Sequence, residues 1–126
     1  MRKKYGNRKV VVDEIEFDSA KEARRYSELK LLQDAGQITD LQLQKEFLLI
    51  PAQYESFARY GKKGQRLEDG KRCIERSCIY KADFAYRDKD GLLVVEDTKS
   101  KATKTKDYII KRKLLLWRFG IRVIEI

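Results

Sequence analysis

The sequence predicts one α/β domain in which a helix, three strands, a second helix and a last strand follow in that order. Three observations predict it. The chain has 126 residues, enough for a single core without metal or disulfide staples. Two stretches carry helical periodicity closed by glycine, and the stretches between and after them read as extended. Finally, 42% of residues are hydrophobic and only one is Pro, a composition that fits neither a disordered tail nor a collagen-like repeat. No internal repeat or low-complexity segment interrupts residues 1–126, so they read as one unit.

Residues 1–9 form a basic arm (Arg2, Lys3, Lys4, Arg8, Lys9) with no apolar pattern. Val10-Val11-Val12 and Ile15-Glu16-Phe17 flank Asp13-Glu14 and read as a short hairpin. Ser19-Ala20-Lys21-Glu22 is an S-x-x-E capping box, which opens a helix by satisfying its first free N–H groups. Ala23, Tyr26, Leu29 or Lys30, and Leu32 then recur at helical spacing, and Gly36 supplies the left-handed stop. Residues 38–50 read as extended, with Leu41, Leu43 and Phe47 alternating before an apolar stretch to Pro51. Residues 55–72 hold Gly61, Gly64 and Gly70 among charges and read as a mobile loop or hairpin tip. A strand over 73–87 follows, with Tyr80, Ala82, Phe84 and Tyr86 on one side. Asp88-Lys89-Asp90-Gly91 makes a turn into a strand over 92–98. The second helix covers about 107–119, with Ile109, Ile110, Leu114 and Trp117 as its core stripe and Tyr108, Lys111, Arg112 and Leu115 near another face. Gly120 ends it, and 121–126 supply the closing strand.

The formal net charge is +9, which favours a polyanionic partner, nucleic acid ahead of an anionic membrane. The longest apolar runs, at 47–51 and 114–117, fall far short of the ~20 residues that a membrane helix needs. No apolar segment follows Met1-Arg2-Lys3-Lys4, so no signal peptide is expected. The chain has no histidine. That excludes Ser-His-Asp and Cys-His triads, zincin helices and any nuclease whose general base is imidazole. Cys73 and Cys78 cannot complete a four-ligand zinc site and read as reduced thiols in a cytoplasmic compartment. Acid–base or metal chemistry is left to carboxylates, lysines, tyrosines and water.

Two strands joined by a tight turn each place carboxylates near one end: Lys81-Ala82-Asp83-Phe84, and Val94-Val95-Glu96-Asp97-Thr98-Lys99. Side chains two apart share a face, so Asp97 and Lys99 project together and Glu96 points away from them unless a bulge exchanges the two acids. Pairing Arg87 with Leu92 sets Asp83 near Glu96, and a one-residue bulge brings it level with Asp97. Two ionised carboxylates that close repel unless a cation lies between them. A divalent ion with hard oxygen ligands explains the arrangement, and such an ion polarises a phosphoryl oxygen and acidifies water. A neighbouring lysine supports the charge that grows in the transition state, or positions or deprotonates the attacking water. The plainer reading is a surface ion pair of Asp83 and the polar end of an exposed strand at Asp97 and Lys99; D-x-K alone is a common string.

Asp83 followed by Asp97-Thr98-Lys99 after an apolar strand resembles the PD-(D/E)XK nuclease superfamily, with Ala82 where the eponymous proline stands. Phe17-Asp18-Ser19, Glu22-Ala23-Arg24-Arg25-Tyr26, Tyr80-Lys81-Ala82-Asp83-Phe84, Val95 to Lys99 and Lys111-Arg112-Lys113-Leu114 resemble, more narrowly, small phage and prophage proteins placed among Holliday-junction-resolvase-like nucleases. The resemblance implies a restriction-endonuclease-like αβββαβ core with a mixed central sheet flanked by helices. It implies Asp83 and Asp97 as ligands of Mg²⁺ or Mn²⁺, the Thr98 backbone carbonyl as a third, and Lys99 as the catalytic lysine. Glu22 matches a first-helix glutamate that often reaches the metal; it is equally the third residue of the capping box. If the chain is phage-encoded, the compartment is the bacterial host cytoplasm.

Between 99 and 118 eight basic residues face Asp107 alone. Lys101, Lys104 and Lys106 adjoin the proposed site, and Tyr108, Lys111, Arg112 and Lys113 follow on the helix, so these seven are the candidate DNA contacts; phosphate contacts supply affinity and register. The arm and Arg59, Lys62, Lys63, Arg66, Lys71 and Arg72 are secondary candidates, and Trp117 is expected to pack rather than stack on bases. The expected function is a metal-dependent DNA endonuclease, structure-selective on branched DNA such as Holliday junctions. A resolvase nicks two symmetric strands and so acts as a homodimer, with Leu48-Leu49-Ile50 a candidate contact if exposed. The alternatives are a non-catalytic basic nucleic-acid-binding module on the same fold, and an exonuclease or RNA-directed enzyme.

Overall fold

Local signals set the first elements of the computed structural model, which describes residues 8–126; Arg2, Lys3 and Lys4 of the expected basic arm lie outside the described residues. Strands β1 (Val10–Val12) and β2 (Ile15–Phe17) pair antiparallel. Asp13 and Glu14 between them both have positive φ, 52° and 65°, the two left-handed residues that a type I′ turn requires. Helix α1 (Ala20–Asp34) starts where the Ser19 hydroxyl accepts the Glu22 N–H at 3.1 Å. It ends in a Schellman closure: Gly36, at φ +75°, donates to the Gln33 carbonyl, and Gln37 donates to that of Leu32 at 2.9 Å.

The remaining elements are β3 (Thr39–Ile50), β4 (Gln53–Tyr60), β5 (Arg66–Glu75), β6 (Cys78–Arg87), β7 (Leu93–Asp97), α2 (Lys106–Phe119) and β8 (Ile124–Glu125). The central sheet runs β3-β6-β7-β8, antiparallel except that β8 lies parallel to β7. With α1 and α2 on it, the order helix, three strands, helix, strand is the one expected, and the sheet is mixed. No helix among the described residues is long and apolar enough to cross a membrane.

Two expectations about the strands are corrected and a third is narrowed. Residues 73–87 are not one strand: β5 ends at Glu75 and β6 starts at Cys78. Of the mobile loop or hairpin tip expected over 55–72, the hairpin is what forms, with β4 and β5 paired as a second, two-stranded sheet from Gln53↔Glu75 to Tyr60↔Arg66. The closing strand shrinks to Ile124 and Glu125. Both cysteines are free thiols.

Neighbouring residues on the sheet enter different cores. Val95 and Ala85 pack with Tyr108 and Leu115 of α2, whereas Val94, Phe84 and Tyr86 pack with Ala23, Tyr26 and Leu29 of α1. Since successive strand residues point to opposite faces, the two cores lie on opposite faces of the sheet. This corrects the expectation that Tyr80, Ala82, Phe84 and Tyr86 share a side: Tyr80 and Ala82 belong to the α2 core, Phe84 and Tyr86 to the α1 core. The change of face falls at Asp83. It is matched on β3, where Leu41 and Leu43 serve the α1 core and Phe47 and Leu49 the α2 core. Between them Gln44 has φ +52°, a left-handed residue inside a strand that turns the following side chains over.

The α2 stripe is also corrected. Trp117 is 83% exposed and Ile110 57%, while Tyr108 and Leu115 are buried, with Ile109 and Leu114 packed at their sides. Polar anchors decide this rotation. The Tyr108 hydroxyl donates to Glu125 at 2.6 Å, and Arg112 pairs with the same carboxylate at 3.1 Å, so the Tyr108–Arg112 side is drawn onto the sheet.

Candidate active site

The turn between β6 and β7 fixes how their acidic residues meet. The Asp88 N–H donates to the Leu92 carbonyl at 3.0 Å, its carboxylate accepts from the Asp90 and Leu92 amides, and Gly91 takes φ +78°. Arg87 therefore pairs with Leu93, not with Leu92 as expected, and Phe84 with Glu96. One step further, Asp83 comes level with Asp97 without any bulge in this ladder. Their carboxylates interlock with the backbone: the Asp83 N–H donates to Asp97 Oδ1 at 3.0 Å, and the Thr98 N–H and hydroxyl donate to Asp83 Oδ2 at 2.9 and 2.7 Å. The second Asp97 oxygen accepts the Tyr80 hydroxyl.

Glu22 reaches the same place from the first turn of α1. Its carboxylate accepts from the Gln44 side-chain amide at 3.2 Å, and the same nitrogen donates to Asp83 Oδ1 at 3.4 Å. The amide thus lies between two carboxylates, where it supplies the positive end of a dipole. Sequence reasoning missed Gln44, and no local signal marks it: glutamine has no preference for a left-handed backbone, and only the fold sets it opposite Asp83. A non-glycine residue held in such a conformation costs of order 1–3 kcal/mol and is found preferentially at functional sites.

The electrostatics are those of crowded acids. Burial pushes the Glu22 carboxyl up to about 7, and the charges of Asp83, Asp18 and Asp97 push the same way. Burial also pushes Asp97 up to about 6, with Asp83 adding to it, while the Tyr80 hydrogen bond and the Lys99 ammonium oppose the rise. Glu22 is 6% exposed and Asp97 1%; Asp83, Thr98 and Lys99 are half-buried and Gln44 is exposed, so the site opens to solvent on that side. Lys99 Nζ rests 4.5 Å from the centre of the Tyr108 ring.

Among the described residues no three His, Cys, Asp or Glu side chains stand as a ready-made metal cluster. The donor chemistry nevertheless suits a hard divalent ion. Three carboxyl groups without histidine or thiolate are the ligand type of Mg²⁺ and Mn²⁺, and a cation would favour the ionised forms that burial, and secondarily the neighbouring acids, disfavour at Glu22 and Asp97.

Glu96 has a different task. It is 1% exposed and takes two Arg25 hydrogen bonds, each 2.8 Å, together with the Tyr86 hydroxyl. This fork ties α1 to β7 on the face opposite Asp97, and so fixes Glu22 three residues before Arg25.

The basic candidates separate. Lys101 and Lys106 are exposed, Lys113 is exposed and Lys111 is half-buried. Lys104 is paired with Glu125 at 3.3 Å, and Arg112 shares that carboxylate. Tyr108 is corrected as a surface contact: it is 8% exposed, its hydroxyl is spent on Glu125 and its ring lies against Lys99. Thr98 meets Asp83 through its N–H and hydroxyl, both donors, which leaves its backbone carbonyl uncommitted to Asp83 and the ligand role expected of it untouched. Of Leu48-Leu49-Ile50, Leu48 and Ile50 are exposed and Leu49 is buried.

Comparison with known proteins places this geometry in a family. The family described as "Protein of unknown function (DUF1064)" matches residues 2–123. The chain belongs to DUF1064. The match spans every element from β1 to α2, so the DUF1064 region includes Glu22, Gln44, Asp83, Asp97 and Lys99. No curated protein and no solved structure matches the chain.

Proposed function

We propose that this DUF1064 protein is a Mg²⁺- or Mn²⁺-dependent DNA endonuclease of the PD-(D/E)XK type, structure-selective on branched DNA such as Holliday junctions. The observation that carries the reading is the meeting of Glu22, Asp83 and Asp97 at one place, two of them held above their ordinary pKa, with the Lys99 ammonium acting on Asp97. Glu22, Asp83 and Asp97 would hold the ion. When bound, it supplies charge neutralisation and acidifies water for attack on phosphorus.

The chain's own groups do the rest. Tyr80 orients Asp97, and Thr98 orients Asp83 with two donors. Lys99 provides a fixed positive charge for the phosphoryl oxygens as negative charge grows on them. The exposed Lys101, Lys106 and Lys113 carry phosphates toward the acids, a contribution that weakens steeply with salt. Two symmetric cuts in a junction call for a twofold homodimer. The place of action that fits a phage-type enzyme is the bacterial cytoplasm.

A second reading rests on one observation. Asp97 is 1% exposed and both its oxygens are engaged, as they would be in a non-catalytic binding module that keeps the fold. One assay separates the two. Wild type, Asp97→Ala and Lys99→Ala are incubated with four-way junction, linear duplex and single-stranded DNA, in Mg²⁺ or in EDTA. The endonuclease predicts internal cuts in the junction that need the ion and vanish in both variants while binding remains. Binding without cutting in every condition supports the module, and a ladder shortening from free ends makes the protein an exonuclease.

A further inference from the structure

We propose that the β4–β5 ribbon is a DNA-reading arm whose basic tip enters the major groove of a duplex flanking the candidate site. The inference rests on the reading that the substrate is DNA. β3 with β4, and β5 with β6, form the two sides of one long hairpin: Leu43 pairs with Phe84 at its base and Tyr60 with Arg66 at its end. Only the lower half is built into the central sheet. Every residue of β4 is exposed, as is every residue of β5 except Gly70, and among the described residues no other helix or strand packs extensively on this half. An isolated two-stranded hairpin is marginal in water, so its internal devices matter. Phe57 lies over Gly70, where a side chain would collide with the ring, and Arg72 covers the ring at 4.8 Å. The tip is closed by the Gly61 N–H donating to the Gln65 carbonyl at 2.8 Å, with Gly64 at φ +80°.

The charge of this arm selects the partner. Residues 59–66 contain Arg59, Lys62, Lys63 and Arg66 and no acidic residue. Arg66 is occupied by Asp69; among the described residues Arg59, Lys62 and Lys63 have no carboxylate partner. Two such tips repel each other, which disfavours a second copy of the chain as occupant. Shape selects the groove. Two paired strands with their side chains are roughly 10 Å across, which suits the ~12 Å major groove and not the ~6 Å minor groove. The eight residues of β4 extend about 26 Å beyond the sheet, far enough to bring Arg59, Lys62 and Lys63 to phosphates well away from Asp83. Tyr60, 64% exposed beside Arg59 and with the Arg66 guanidinium 5.7 Å over its ring, presents its hydroxyl edge to the bases.

The test uses binding alone, in EDTA, so that cutting plays no part. Anisotropy titrations of a labelled 24-base-pair duplex at several salt concentrations compare wild type, Arg59→Ala/Lys62→Ala/Lys63→Ala, and a control carrying Lys30→Ala/Arg87→Ala/Lys89→Ala. The tip variant should bind at least tenfold more weakly near 0.1 M salt, and the slope of log K on log salt should fall by about 2–3. The charge-matched control should lower the slope by less than one. Guanine N7 methylation, which probes the major groove, should be protected by wild type and unprotected with the tip variant. Unchanged affinity and slope in the tip variant, N7 protection that survives it, or a wild-type dimer that the variant alone dissolves would each overturn the arm. A wild type that binds through the tip yet never cuts would refute the nuclease and leave the arm; cutting with an indifferent tip would do the reverse.

Discussion

Glu22 and Asp97 carry the most specific expectations at the scale of single residues. Their folded pKa values, about 7 and about 6, lie above those of the unfolded chain, so the native state binds protons that the unfolded state releases. Their contribution to stability is complete below about pH 4 and is lost as pH rises through about 6 to 7. In metal-free protein, Glu22→Gln should therefore flatten the pH dependence of Tm between about pH 4.5 and 7.5 relative to wild type, and added Mn²⁺ should raise the wild-type Tm most at the upper end; parallel curves would contradict the crowding of the acids. In cleavage, Lys99→Ala and Asp97→Asn should each lower the rate by at least about 10²-fold, the order seen when one charge-stabilising group is removed, as measured by single-turnover cutting of a junction. The Asp83–Asp97–Lys99 set was readable because D-x-K on a strand fixes a shared face. That Asp83 stands level with Asp97 was not, because the backbone closure of the 88–92 turn, which shifts the pairing by one residue, leaves no mark in the local sequence.

Elements explain why these residues meet at all. The Arg25 fork on Glu96 is buried on the carboxylate side, and removing one partner of such a pair typically costs about 3–5 kcal/mol. Arg25→Ala should destabilise by about that much in urea unfolding and should also loosen Glu22, since α1 loses its tie to β7. The left-handed turn at Gln44 makes a second prediction: Gln44→Gly should stay within about 1 kcal/mol of wild type, whereas Gln44→Val, a β-branched residue at φ +52°, should lose about 2 kcal/mol or more. Equal losses would mean that the backbone there is not strained. The Ser19 N-cap and the stops at Gly36 and Gly120 were legible because each depends on residues three to five apart; the return bond of the expected capping box is not made, since the Glu22 carboxylate turns to Gln44. The α2 stripe was not. Apolar residues surround that helix, and the choice of Tyr108 and Leu115 over Ile110 and Trp117 is made by Glu125, which lies 17 residues after Tyr108. The reversal of faces at Gln44 and Asp83 was equally hidden, since alternation over Tyr80 to Tyr86 reads as one face.

Over the whole molecule, the positive excess behind the net charge of +9 is concentrated in residues 1–9, in the segment from Lys99 and at the tip of the projecting ribbon, with acids gathered between α1, β6 and β7. The ribbon was foreseeable in part: the Gly61 and Gly64 turn and the basic residues around it were plain, and what the sequence could not tell was that, among the described residues, no other helix or strand packs extensively on the strands beside them. On the proposed reading, such an arrangement would grip phosphates at two places and keep its negative charge for a cation. Cation binding can be measured directly by titrating Mn²⁺, followed by its electron paramagnetic resonance, into wild type and Asp83→Asn/Asp97→Asn in the presence of duplex DNA. The wild-type complex should bind Mn²⁺ saturably, and the double variant should lose that binding while still holding DNA. Equal Mn²⁺ uptake by both proteins, or none by wild type, would contradict cation binding at these acids.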